Sequence, residues 1–590
     1  MILNPMLLER FRGIDRPRRD SCARALGCGA VFWLSTHSAF GEIIYSGVRD
    51  IAIPQTFDGV FIRLTDPMGV VPSSASWHLN PFFGGLGIAN SPEFQPLRVG
   101  TGNEDFIRAL ALGTSVGASS TFSESWGGSG AEDESGHLGP GVAQFTADRI
   151  GYMGFKLMRN GVANYGWMRL TLTMNDPTGR VLDWAYDSTG NSIITGAVKN
   201  LGAQPFIAAG EQTVSASQAG SGILMDPSAK LTFNEGPSGG VFSGTIDGDG
   251  EIKISGAGGL RLSGDNAFAG KASVLAGSSL TVTKSGNLGR AQVAIGASAS
   301  LIFDSLLENN GPSNLFSNSI IASGALATLN NSGGGKVILD GDISLASSSG
   351  GSIAFSGGAF DVQGLITGAS ALVKDGAGTV TLAGANTYSG PTTVSAGTLV
   401  INGVQSGSGD VNIGSTGRLG GSGSVIGGLN VSGVLAPGNS IESFGSGSVS
   451  FAAGSTYAYE FQSLGFNGDL TYSAGGLNVS AGSILTMTDL GTSTPLADGS
   501  KLTLVSTVGG WDGGLFSYDA GAGLVTLADD SCIFLGSNIW RFDYNDLSAG
   551  SNFVGDTSGA THFVTITVVP ELDVVLLGGF GVIMLLRRRR

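Results

Sequence analysis

The chain has 590 residues, of which 98 are glycine, 42% are hydrophobic and 13% are charged, and its formal net charge is −15. So much apolar content excludes a disordered chain, and so few, mostly acidic charges exclude a phosphate-binding surface, so no nucleic-acid partner is expected. Three cysteines, Cys22, Cys28 and Cys532, exclude a disulfide scaffold. With Ser, Thr and Asn at the polar positions and Gly for the corners, the composition is that of an all-β, extracellular protein.

Residues 1–41 open the chain with six Arg, then a largely apolar run at Ala25–Ser35, then small residues up to Gly41. That is the order of a secretory signal peptide cut after Gly41. Residues 42–204 read as an N-terminal antiparallel β-sandwich-like domain. The runs Gly59–Leu64, Gly151–Leu157, Tyr165–Leu172 and Arg180–Tyr186 are long and aromatic. Alternation puts Met168, Leu170 and Leu172 on an apolar face and Trp167, Arg169 and Thr171 on a largely polar one. Ser119–Gly139, with Glu132, Asp133 and Glu134, reads as a loop.

From about 205 to 445 the chain alternates short β-prone runs with turn residues. The clearest unit is 373–402, with runs Thr379–Leu382, Thr392–Val394 and Thr398–Ile401 separated by Asp375-Gly376, Gly384, Asn386, Gly390-Pro391 and Gly397. Strands this short bury nothing alone, so the unit predicts a stack of similar layers. A degenerate copy at 254–282 matches it without a gap at an offset of 120 residues, pairing Asn266 with Asn386, Phe268 with Tyr388 and Gly277 with Gly397. Residues 446–567, with runs Ser448–Phe451, Thr456–Phe461, Lys501–Val508 and Phe563–Val569, read as a C-terminal β module covering the open end of the stack. The tail, 568–590, holds Pro570-Glu571, a short apolar helix at 574–586 and the basic cluster Arg587, Arg588, Arg589 and Arg590.

Three resemblances add to this reading. The unit LVKDGAGTVTLAGANTYSGPTTVSAGTLVING resembles the autotransporter-associated β-strand repeat, which implies a right-handed parallel β-helix; Val434–Ile441 (VLAPGNSI) is similar in style. The tail resembles the PEP-CTERM sorting signal, with Leu572 where that family usually has Pro. It implies an exosortase-type enzyme acting near Pro570 and Glu571, transient or permanent tethering to the inner membrane through the helix, and a host that makes extracellular polysaccharide. The stretch from Gly151 to Val198 resembles an N-terminal module common in proteins with that tail, which implies architecture and no activity.

No constellation reads as catalytic, and no cofactor or metal is expected. Asn266 and Asn386 read as corner residues, and Phe268 and Tyr388 as stacked core aromatics. Asp247-Gly248-Asp249 and Asp340-Gly341-Asp342, each with one nearby lysine (Lys253, Lys336), read as turns. His78, His137 and His562 lack metal-ligand spacing. The expected function is an exported cell-surface or matrix protein, structural or adhesive, not an enzyme, whose partners are signal peptidase, an exosortase-type enzyme and extracellular polysaccharide. Two alternatives stand beside it. A β-helix lyase or hydrolase would gather three or more charged side chains in a cleft, and a carbohydrate-binding head would expose a coplanar pair among Trp77, Trp126 and Trp184.

Overall fold

The computed structural model describes residues 43–570, apart from 83–86, 100–106, 123–144, 146–149, 172–178, 202–205, 305–313, 347–350, 520–522 and 552–558. The expected leader and the expected helix at 574–586 lie outside the described residues. Among the described residues no helix is long and apolar enough to cross a membrane.

The first element is a seven-stranded antiparallel sheet centred on Ile150–Arg159, Val162–Thr171 and Arg180–Asp187. Arg159 pairs with Val162, so Asn160 and Gly161 form a two-residue hairpin, both at positive φ (51° and 78°). That is the turn whose twist matches the flanking strands. Met153, Met168, Leu170 and Trp184 pack on one face. The other face is not the polar surface that alternation suggests: Trp167 is buried there among Tyr165, Ala185 and Val116, and its indole donates to the Ala197 carbonyl at 3.0 Å. The strand expected over Gly59–Leu64 is reduced to bridges at Ile62. The backbone amide of Val60 donates to Pro81, which has no N–H to return, so the ladder is one-sided there.

From Phe206 onward the pairing becomes parallel. Phe206–Ala208 pairs with Gly222–Met225, and Glu211–Val214 with Lys230–Asn234, and rungs of roughly twenty residues then build a β-solenoid of about eleven turns. Along most of its strands buried and half-exposed residues alternate, and the inward side chains form one continuous core. Each thin layer is stable only because its backbone groups are satisfied by the layers on either side.

The parallel ladders do not stop at 445. Val449–Phe451 continues to Leu477–Val479, and Thr456–Gln462 to Ile484–Asp489. The chain then turns antiparallel: Lys501–Thr507 pairs with His562–Val568, which pairs with Asn538–Asp546, and that strand pairs with Cys532–Leu535. Trp540, Phe542 and Val564 share the solenoid core, so this region closes the rod as part of it.

Two details of the repeat differ from the sequence reading. Thr392–Val394 and Thr398–Ile401 are parts of one strand, Thr392–Ile401, with an irregularity between Val394 and Ala396. The gapless alignment also slips after Gly277 and Gly397. Leu280 pairs with Leu260, whereas it is Leu399 and not Val400 that pairs with Val380. Leu399 keeps its inward place because the strand is one residue shorter at the irregularity than the layers on either side, where Lys374 to Val380 and Ile413 to Leu419 face Val394 to Leu399.

Candidate functional site

The residues expected at the coil corners are there, and they are structural. Asn386 is buried, and its Oδ1 accepts the backbone N–H of Ile366 at 2.9 Å, one coil back. Asn266 does the same for Ile246 at 2.7 Å, and its Nδ2 donates to Asn287. Each satisfies a backbone donor on the outer side of a strand, Thr245–Gly248 or Ile366–Gly368, that ends its sheet. Tyr388 is wholly enclosed; its hydroxyl meets Thr392 Oγ1 at 2.6 Å, and burial pushes its pKa up to about 12. Phe268 is buried in the same core. Neither aromatic is available to a ligand.

Lys374, which sequence reasoning passed over, is 1% exposed in an inward ladder between Phe355 and Val394. Its Lys-Asp-Gly context was visible, but nothing in it shows a lysine pointing inward.

The two Asp-Gly-Asp segments differ. Asp340 and Asp342 are exposed at a corner, where Asp342 Oδ1 accepts the Leu365 N–H at 2.9 Å, as expected of a turn. Asp247 is not a turn residue of that kind. It lies in the strand Thr245–Gly248, is 3% exposed, and its Oδ2 accepts the backbone N–H groups of Val198 (2.5 Å) and Lys199 (3.1 Å) from the N-terminal domain. Burial pushes its pKa up to about 6, against the pull of those donors. The carboxylate therefore clasps the head to the rod. Asp469, unnoticed in the sequence, is fully buried and accepts the N–H groups of Glu460 and Glu442.

The histidines do not meet. His78 is buried, its Nδ1 accepts the Leu64 N–H at 2.9 Å, and burial lowers its pKa to about 4, which keeps it neutral. His562 contacts Thr561, and His137 lies outside the described residues, as do Trp126, Gly41, Glu571, Arg587, Arg588, Arg589 and Arg590. Pro570 is described and half-buried at the end of the closing sheet. Among the described residues no group of three acidic, His or Cys side chains is placed to hold a metal. Trp184 is buried with its indole on the Leu64 carbonyl, and Trp77 is half-buried against Phe61 at 57°, so these two do not form an exposed coplanar pair.

Two outward ladders set the character of the rod surface. In the early coils Glu211, Lys230, Glu251, Lys271 and Gln292 are successive rungs, so charges of opposite sign alternate. Like charges stacked in register would repel. The second ladder starts at Ser279, Ser300 and Thr328, crosses Ala354 and Val373, and continues through Thr393, Asn412, Asn430, Ser450 and Asn478. It has no charge on any of these rungs, and Asn430 Nδ2 donates to Asn412 Oδ1 at 2.9 Å. Rungs at about 4.8 Å make it roughly 40 Å long.

A family model of the passenger-associated-transport-repeat matches residues 255–282 and 372–401. The matched stretches are the two copies whose Asn266 and Asn386 hold the corners. No curated protein matches the chain.

Proposed function

From a β-solenoid carrying two passenger-associated-transport-repeats, we propose an exported, surface-associated structural protein that adheres to extracellular polysaccharide along its uncharged polar ladder. The observation that carries this reading is the run Thr393, Asn412, Asn430, Ser450 and Asn478, outward side chains on consecutive rungs. Regularly spaced hydroxyls and amides match the repeating hydroxyls of a glycan chain, and many weak contacts held on a rigid scaffold add up through effective concentration. The role is passive and needs no catalytic group. The leader, residues 1–41, and the tail, 568–590, with its resemblance to a PEP-CTERM signal, supply export, transient membrane tethering and sorting by an exosortase-type enzyme.

Pull-down of the protein on polysaccharide from its host tests adhesion. Replacing Asn412 and Asn430 together by Lys is expected to abolish retention while leaving the unfolding temperature within a few degrees, and unchanged retention would refute the reading. The intact mass of protein from the host tests sorting: a chain starting near Glu42 and ending near Pro570 or Glu571 is expected, and one keeping Arg587 to Arg590 would remove the sorting enzyme from its partners.

A further inference from the structure

Between the N-terminal domain and the rod lies a cleft of about 490 Å³, walled by Tyr45 and Lys199 on one side and by Ala267, Arg290, Leu315 and Ser317 on the other. Among the described residues lining it, Lys199 and Arg290 are the only charged side chains. Neither takes part in an ion pair among the described residues. The guanidinium of Arg290 lies near enough to act on the Tyr45 hydroxyl.

This arrangement runs against the rest of the molecule. In a chain of net charge −15, cations have carboxylates to choose from, and several basic residues in the rod take one: Lys230 with Glu211, Lys284 with Asp265, Lys336 with Asp361. Two cations left without partners in one concavity provide an anion-binding site.

The floor is preformed. Both ends of the Asn266 amide are engaged in inter-coil bonds, and Asn318 Nδ2 donates to the Ala291 carbonyl at 2.8 Å. The Asp247 clasp holds Val198 and Lys199 against it. A ligand would therefore meet a rigid cradle and order little on binding.

We propose that this cleft binds a carboxylate-bearing sugar, such as a uronic-acid unit of an acidic saccharide. Lys199 and Arg290 take the carboxylate, Ser317 offers a hydroxyl, and the Tyr45 ring with Ala267 and Leu315 covers the apolar face of a pyranose. The volume falls in the range of small-molecule sites, well beyond what a bare inorganic anion fills. None of these residues belongs to the polar ladder, so the site stands or falls independently of it.

The test is calorimetric titration of the full chain with a glucuronic-acid oligosaccharide, a neutral glucose oligosaccharide of equal length, and sulfate. The acidic oligosaccharide is expected to bind, more weakly at higher salt, with the neutral one at least about tenfold weaker. Lys199→Gln with Arg290→Gln is expected to lower affinity by about tenfold or more, and Arg290→Lys to keep most of it. Both side chains reach solvent, so the fold survives, and circular dichroism checks this. No binding at millimolar concentration, equal binding by the double variant, or sulfate binding as tightly as the saccharide would each overturn the proposal.

Discussion

Lys374 donates from Nζ to the carbonyl oxygen of Ala396 at 3.0 Å, from one coil of the rod to the next. The same ammonium donates to Asp375 (3.0 Å) and Gly376 (2.7 Å), so three carbonyls replace its water. Burial lowers its pKa. Gly397 beside it is required by its own φ of 70° and by the carbonyls of Gly376 and Gly378, which a Cβ would meet at 2.4 and 2.7 Å, with Nζ at 2.8 Å. Lys374→Met keeps the stem and strips three corner carbonyls of their donor, and it is expected to cost about 2 kcal/mol in urea unfolding. Ile254→Met, at the matching place in the first copy, is expected to cost less than about 1.5 kcal/mol. Equal stability of wild type and Lys374→Met would show that the three bonds add nothing net.

Close backbone stacking at another corner sets a harder limit. A Cβ on Gly403 would lie 2.0 Å from the Gly384 carbonyl, and one on Gly384 would lie 2.8 Å from that of Gly364. These glycines sit directly over one another, so an alanine separates two coils. Gly403→Ala is expected to lower stability by several kcal/mol, whereas Gly236→Ala, with nothing within 4 Å and no positive φ, changes it by less than about 0.5 kcal/mol. Thermal unfolding of the two variants side by side checks this.

The Asp469 carboxylate predicts an unusual pH dependence. Burial pushes its pKa up to about 8 from an ordinary 3.8, with the charges of Glu460 and Glu442 adding to the rise and their N–H groups opposing it. Because the folded value lies above the unfolded one, its stabilising contribution is complete below about pH 3.8 and is lost as the pH climbs through 8. The rod is therefore expected to resist urea better at pH 5 than at pH 9, by on the order of a few kcal/mol. Asp469→Asn should flatten that slope, even though it also loses an acceptor; an unchanged slope would exclude Asp469 as its source.

Asp247 gives a local counterpart. Asp247→Ala leaves the amides of Val198 and Lys199 without their acceptor. Hydrogen exchange at those two amides is expected to rise by at least about tenfold, while amides of the distant coils around Val380 and Leu399 keep their rates. Acceleration spread evenly along the rod would mean that the clasp does not act locally.

Much of the architecture was legible because a solenoid is built from local rules. Thr379–Leu382 was marked by β-prone residues between Gly-bearing turns and forms that strand. Asn266 and Asn386 were recognised as paired corner residues because a stacked layer repeats its corner chemistry. Less legible was whatever depends on a contact from another layer. Gly59–Leu64 has strand composition, yet its opposite number, Pro81, cannot complete the ladder. Trp167 occupies a nominally polar face, which Val116 and Ile193 cover from outside the strand.

The sequence by itself determined that the chain is all-β, that it stacks, and which residues turn its corners, because hydrophobic alternation and glycine spacing act within one layer. Only the tertiary structure decided which ladder each copy joins. Val274 stands between Ile254 and Ile295, whereas Val394 follows Lys374 on the ladder that runs through Leu260, Leu280 and Leu301. That assignment depends on the unequal lengths of the coils between the copies. It also decides that Lys374 lies inward and that Lys199 and Arg290 face one cleft, because register sums over every intervening turn while the sequence pattern records each turn alone.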